Sequence, residues 1–210
     1  MKISKILILF VVLSLPVILY LLLTFYGKNE FDLPKYFIDR NEQCTDFVQI
    51  SEIEDSLHTV NGKRFKLHEV LKENINVLHF PESGVDNQPL QNELKRLLDT
   101  FSDQEKIELH TILVAKDSSY FQGNKFINSE NAYQYHVSSD FYDLLTTCYL
   151  ALPTKNWVGD HPAEMKLDLS KILVLIDGDM QIRGYYDGLE TKDVDRLILE
   201  IRILLSKKGN

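Results

Sequence analysis

Two cysteines, Cys44 and Cys148, are all that the 210 residues contain, so thiol chemistry is excluded from every other stretch of the chain. Long Lys/Arg runs are lacking too: the Lys207-Lys208 tail is short and the formal net charge is −8. Without an electrostatic footprint for phosphates, nucleic-acid binding is excluded. There is no internal repeat and no low-complexity tract. Beyond a hydrophobic leader about 180 residues remain, room for one domain of ordinary size and not for two.

What is present is an apolar and aromatic complement, including 10 Tyr and 11 Phe, sufficient to bury a core. From Ile6 to Tyr26, ILILFVVLSLPVILYLLLTFY carries no charge. At 1.5 Å rise per residue its length matches a hydrocarbon layer of about 30 Å, which predicts a transmembrane helix with Pro16 as a kink. Thr24-Phe25-Tyr26-Gly27 offers no small-x-small cleavage site, which argues against a removed signal peptide. Lys2 and Lys5 precede the segment, whereas Glu30 and Asp32 soon follow Lys28, so the N-terminus is expected in the cytoplasm and the remainder outside it, in a bacterial periplasm or its equivalent. The expected organisation is a tip and anchor over 1–26, a juxtamembrane linker over 27–43 and a folded domain over 44–210.

Within the domain, the apolar run from Ile75 to Phe80, bounded by Asn74 and Pro81, predicts a buried strand. Pro89 opens a helix with Leu90, Leu94, Leu97, Leu98 and Phe101 on one stripe. A second strand, Ile107 to Ala115, lies far enough on for a helical crossover, so the two strands can pair in parallel. A helix is expected from Ser138 to about Tyr149. Lys171 to Ile176, a turn at Asp177-Gly178-Asp179, and Gln181 to Tyr186 predict a β-hairpin. A final helix starts near Thr191, read as its cap, with Val194, Leu197, Ile198, Ile201, Leu204 and Leu205 on one stripe. With an additional hairpin between Phe47 and Leu67, this order fits a thioredoxin-like α/β fold, a central mixed sheet flanked by helices.

The stretch ILVLIDGDMQIRGYYDG, Ile172 to Gly188, followed by Val194-Asp195-Arg196-Leu197, resembles the Sco/SenC family, copper chaperones of cytochrome c oxidase assembly. In that family a strand ending in Phe leads into a Cys-x-x-x-Cys-Pro loop and a helix often reading Asn-Glu-Leu-Lys. Here Phe80 is followed by PESGVDNQPLQNELKRL. Aligning Pro89 with the family proline puts Gly84 and Gln88 on the cysteine positions, with Asn92-Glu93-Leu94-Lys95 in the matching helix. The family's histidine ligand falls on Leu169, within Asp168-Leu169-Ser170. The layout extends over Phe65 to Leu205, but Ala115-Lys116-Asp117-Ser118 replaces the family's usual Ser-x-Asp-Pro run.

The resemblance implies the respiratory pathway, and the substituted positions remove its chemistry. Copper(I) needs soft thiolate or imidazole donors, which Gly, Gln and Leu do not supply. Thiol–disulfide exchange needs a thiolate, and the loop from Pro81 to Leu90 has none. No cofactor and no copper are expected. The expected function is a non-catalytic Sco-like accessory protein on the membrane, touching respiratory-complex subunits or assembly factors. Two alternatives stand beside it: a thiol-dependent oxidoreductase using Cys148, or a copper protein with a relocated site; and a structural interaction domain unrelated to respiration.

Other residues have more than one reading. Cys44 and Cys148 can form a disulfide in an oxidising compartment, or Cys148 can be a buried free thiol on its helix face with Cys44 unpaired. His79, His110, His136 and His161, with Met165, lack ligand spacing for a rebuilt metal site. Glu82, Asp86 and Glu93 read as a solvated loop before they read as paired acid–base carboxylates. Tyr120, Phe121, Phe126, Tyr133 and Tyr135 form an aromatic cluster that either meets a partner or packs onto the sheet.

Overall fold

Apolar runs and stripes of the kind just described determine which segments pair and which face inward. In a computed structural model, the described residues are 3–26, 33–34, 56–59, 61–81, 87–104, 106–114, 126–150, 152 and 168–208. Contacts divide the chain into two units, Met1–Asp32 and Leu33–Asn210, a boundary inside the expected linker 27–43.

The first unit contains α1, Ile3–Tyr26, which runs through Pro16 without a break. Its described side chains, 10–22, are almost all exposed and apolar. They cover about 20 Å of helix. Counting described residues only, no helix is long and apolar enough to cross a membrane.

The second unit is built on a seven-stranded mixed sheet. Its strands are β1 (Ser56–Thr59), β2 (Arg64–Lys66), β3 (Ile75–His79), β4 (Ile107–Val114), β5 (Ala132–Val137), β6 (Ile172–Ile176) and β7 (Ile182–Asp187), in the order β2-β1-β5-β4-β3-β6-β7. β3 and β4 pair in parallel, as do β4 and β5; β6 and β7 form an antiparallel hairpin added beside β3. β3 and β6 are buried throughout, as continuous apolar runs covered on both faces should be.

Alternation divides the core in two. Ile75, Val77, Leu109, Leu173 and Leu175 face α3 (Gln88–Thr100) and α5 (Thr191–Lys208). Leu78, Phe80, Ile112, Val174 and Ile176 face the layer containing α2 (Leu67–Leu71) and α4 (Ser139–Leu144), which continues as a wider turn of π-helix over Leu145–Tyr149.

Helix starts follow local chemistry. The Asn87 side chain accepts from Leu90 N at 3.4 Å, with Pro89 in the first turn of α3, and Ser138 accepts from Phe141 N at 3.2 Å. Thr191 differs from its expected role: it is the first residue of α5, and its hydroxyl donates to Glu93 Oε1 at 3.0 Å instead of capping the helix. The expected N-terminal hairpin is present as β1–β2, within its range. β5 and α2 are absent from the sequence reading. β5 takes up Tyr133 and Tyr135, so these aromatics belong to the sheet; Phe126 packs on the α3/α5 side, while Tyr120 and Phe121 lie outside the described residues.

Candidate functional site

In a parallel-containing α/β sheet, chemistry gathers at the carboxyl ends of the strands. Here that is the end of β3, where Phe80 and Pro81 are buried. Gly84, with Glu82 and Asp86, lies outside the described residues. Gln88 is the first residue of α3 and exposed, its amide 3.4 Å from Gln91 Oε1 and from Asn92 Oδ1. Leu169 sits in a single 3-10 turn, Leu169–Lys171, and is half-buried against the α2/α4 layer. Asp168 organises that turn: its Oδ1 accepts from Ser170 Oγ at 2.6 Å and from Ser170 N at 3.2 Å. The Ser170 hydroxyl, with help from Lys171, holds the Asp168 carboxyl below its ordinary pKa.

His79 braces this region from beneath. Its Nε2–H donates to Ser170 O at 3.1 Å, which joins the end of β3 to the turn before β6, and its ring lies 5.0 Å from that of Phe126. The side chain is fully buried and, among the described residues, Nδ1 has no hydrogen-bond partner. Burial pushes its pKa down to about 4, against the opposing pull of the Ser170 carbonyl. His79 is thus a neutral imidazole used as a strut. Gln88 and Leu169 supply an amide and an alkyl group, a donor set that does not fit copper. Among the described residues no group of three or more His, Cys, Asp or Glu side chains could hold a metal ion.

Of the remaining sequence candidates, His161 and Met165 lie outside the described residues, and His136 is buried in β5. Glu93 is committed to structure, accepting from Arg96 Nε at 2.8 Å and from Thr191. Cys148, half-buried in the π-helical turn, is disulfide-bonded, so it is not the free thiol of the alternative reading. The sequence's other cysteine, Cys44, lies outside the described residues.

Sequence reasoning missed a buried polar network at the opposite ends of β3 and β4. The Asn76 amide donates to Leu71 O at 2.7 Å and Asn74 O at 3.0 Å, and its Oδ1 accepts from His110 Nε2 at 2.9 Å. Glu108 receives Asn74 Nδ2 at 2.9 Å and stands 3.3 Å from His110 Nε2. Tyr133 and Tyr135 stack on the His110 ring. Desolvation, reinforced by the Glu108 charge, raises the pKa of both phenols, so they stay protonated. The spacing Asn76, Glu108, His110 carried no motif; only strand register brings them together. The network ties α2 to the sheet from the end away from the β3–α3 loop, which makes it scaffold.

The stretch IRGYYDG is likewise explained by packing. Arg183 Nη1 donates to Leu33 O at 3.1 Å. A Cβ on Gly184 would lie 2.3 Å from Tyr186 Oη, so glycine there lets the Tyr186 ring lie across the strand. Tyr185 Oη donates to Leu150 O at 2.7 Å and Tyr186 Oη to Glu200 Oε2 at 2.6 Å, while Arg196 covers the Tyr186 ring at 4.5 Å. Gly188 N donates to Lys171 O at 2.7 Å, and a Cβ there would meet Leu90 Cδ1 at 2.4 Å. The motif thereby holds the β7 edge, α5 and the first turn of α3 together.

These features define a thioredoxin-like α/β domain, and the chain has the fold of Sco/SenC family proteins. It resembles a SCO1/SenC family lipoprotein from Bacillus anthracis str. Ames, with TM-score 0.55 and 16% identity over 73% of this chain and 94% of that one. It also resembles BsSco, a member of the Sco family of cytochrome c oxidase assembly proteins in which a disulfide switch has been identified, with TM-score 0.53 and 16% identity over 70% and 89% of the two chains. No protein-family model matches the sequence, and no curated protein matches it.

Proposed function

We propose that this chain is a membrane-anchored, Sco-like accessory protein that works through protein contacts in the assembly of cytochrome c oxidase, with neither catalysis nor a copper site of its own. The observation that carries this reading is an ordered scaffold around aligned positions that offer no copper donors. The Asn87-capped helix, the Asp168 turn and the His79 strut order this region, while Gln88 and Leu169 occupy two of the aligned ligand positions. Gly84, at the third, has no side chain to offer.

Anchoring is supported by the uncharged run Ile6 to Tyr26 and by a helical backbone over Ile3–Tyr26, which at 1.5 Å per residue is about 36 Å long. The apolar side chains it exposes, Phe10 at 71% among them, need an apolar environment. Lys2 and Lys5 favour a cytoplasmic N-terminus, which puts the folded domain outside.

Anaerobic Cu(I) titration of the full-length protein in detergent tests the inert site. No stoichiometric uptake is expected; one tightly held equivalent that disappears with His79→Ala or His161→Ala refutes the reading. Affinity capture from membranes tests the partner: oxidase subunits or assembly factors should co-purify, and their consistent absence leaves a structural domain without a respiratory link.

A further inference from the structure

Lys63-Arg64-Phe65-Lys66 is too short to register as a basic run, and the fold gives it a position that the sequence does not reveal. β1 turns into β2 through Gly62 at φ 74°, with Thr59 N donating to Lys63 O at 2.9 Å and Gly62 N to Thr59 O at 2.8 Å. Residues 61–66 are exposed throughout, and β2 is an edge strand of the described sheet. Lys63, Arg64 and Lys66 put three cations within four residues, whereas Lys72 is already paired with Glu73 at 3.7 Å. Glu69 is engaged with the backbone, accepting from Lys66 N at 3.2 Å. Among the described residues Lys63, Arg64 and Lys66 pair with no carboxylate.

Phe65 lies between these charges, opposite Leu57 in register and still 37% exposed. Cations flanking an exposed ring match the headgroup zone of a bilayer, where basic side chains meet phosphates and aromatics settle at the polar–apolar boundary. Arg64 and Lys66 project to one face of the strand and Phe65 to the other. At a sheet's edge, however, a flat surface approaching side-on reaches both rows. We infer that the β1–β2 hairpin is a second membrane contact, which docks the edge of the domain on anionic phospholipid.

This inference rests on the membrane anchor proposed above, and the anchor makes the contact favourable. An anchored chain keeps the domain near the bilayer, which raises the effective concentration of lipid around the hairpin. An acidic protein partner is the competing occupant, but an exposed Phe amid the charges favours lipid.

The experiment uses the full-length chain in vesicles, carrying Phe65→Trp in a Trp157→Phe background so that position 65 holds the sole indole. Brominated lipid should quench it in vesicles containing phosphatidylglycerol and not in pure phosphatidylcholine, and about 0.5 M NaCl should relieve the quenching. Neutralising Lys63, Arg64 or Lys66 to Gln should each lower the docked-to-undocked ratio about fivefold. The salt series on the parent protein stands independently of those variants. Quenching that ignores lipid charge, or no quenching while the protein resists alkaline extraction, overturns the inference. Crosslinking of the hairpin to an acidic protein without lipid quenching does the same. A chain released by alkaline extraction instead refutes the anchor.

Discussion

Arg183 donates its Nε–H to Asp177 Oδ2 at 2.6 Å, an ion pair with side-chain exposures of only 10% and 9%. Asp177 Oδ1 meanwhile accepts from Asp179 N and Gln181 N, both at 2.9 Å, so one carboxylate shapes the β6–β7 turn and neutralises the strand that follows. Arg183→Ala should destabilise the protein by about 3–5 kcal/mol, because it strands a buried charge. Pairing Arg183→Met with Asp177→Asn should cost much less. Urea titrations of the full-length protein in detergent decide; equal losses for the two would refute a desolvation cost.

Gly188→Ala should be damaging despite its single methyl, since the added Cβ meets Leu90 and the Lys171 carbonyl at once. A loss of about 1–3 kcal/mol is expected from overpacking. Gly62→Ala, whose added Cβ meets no atom of the described residues within 4 Å, should cost only the strain of its positive φ. The two midpoints, measured side by side, separate crowding from backbone strain.

The His79 ring predicts an acid-sensitive fold. Burial lowers its pKa from 6.5 to about 4, so the folded protein binds fewer protons than the unfolded chain between those values. Stability from this group is intact above pH 6.5 and falls as pH drops through the window, levelling off below about 4 at a cost of roughly 3 kcal/mol. His79→Gln should flatten that part of the stability–pH curve, and an unchanged curve would discount the buried ring.

Non-reducing peptide mapping should recover Cys148 linked to Cys44. Closing a loop of about 100 residues, that bond should contribute on the order of 4 kcal/mol, lost on reduction. A Cys148 crosslinked between two copies, seen as a dimer on a non-reducing gel, would contradict the pairing.

Restoring the donors tests the alignment itself. The triple variant Gly84→Cys, Gln88→Cys and Leu169→His should bind one equivalent of Cu(I) while the parent binds none. Failure of a folded triple variant to do so would mean that these positions do not converge.

The legible parts of the fold were those with local periodicity. β3, α3, β4, α4, the β6–β7 hairpin and α5 follow from apolar runs, helical stripes and turn residues near their expected limits. β5 was hidden because AYQYHV mixes buried Tyr135 and Val137 with polar Gln134 and His136. It becomes a strand through partners distant in sequence, β4 on one side and β1 on the other. At the candidate site the substituted residues were legible as letters, whereas the His79 strut was not. Its role depends on Ser170, which only the β3–β6 pairing brings within reach.

The placement of β1 also dictates an order of events during synthesis. His58 and Thr59 bond to His136 and Tyr135, so the hairpin emerging first has no neighbour until most of the domain has followed. Local helices and the β3–β4 crossover can form meanwhile, because contacts between distant segments close late. The hairpin therefore spends the interval joined to the growing sheet only through α2, and pairing with β5 is the step that sets its orientation.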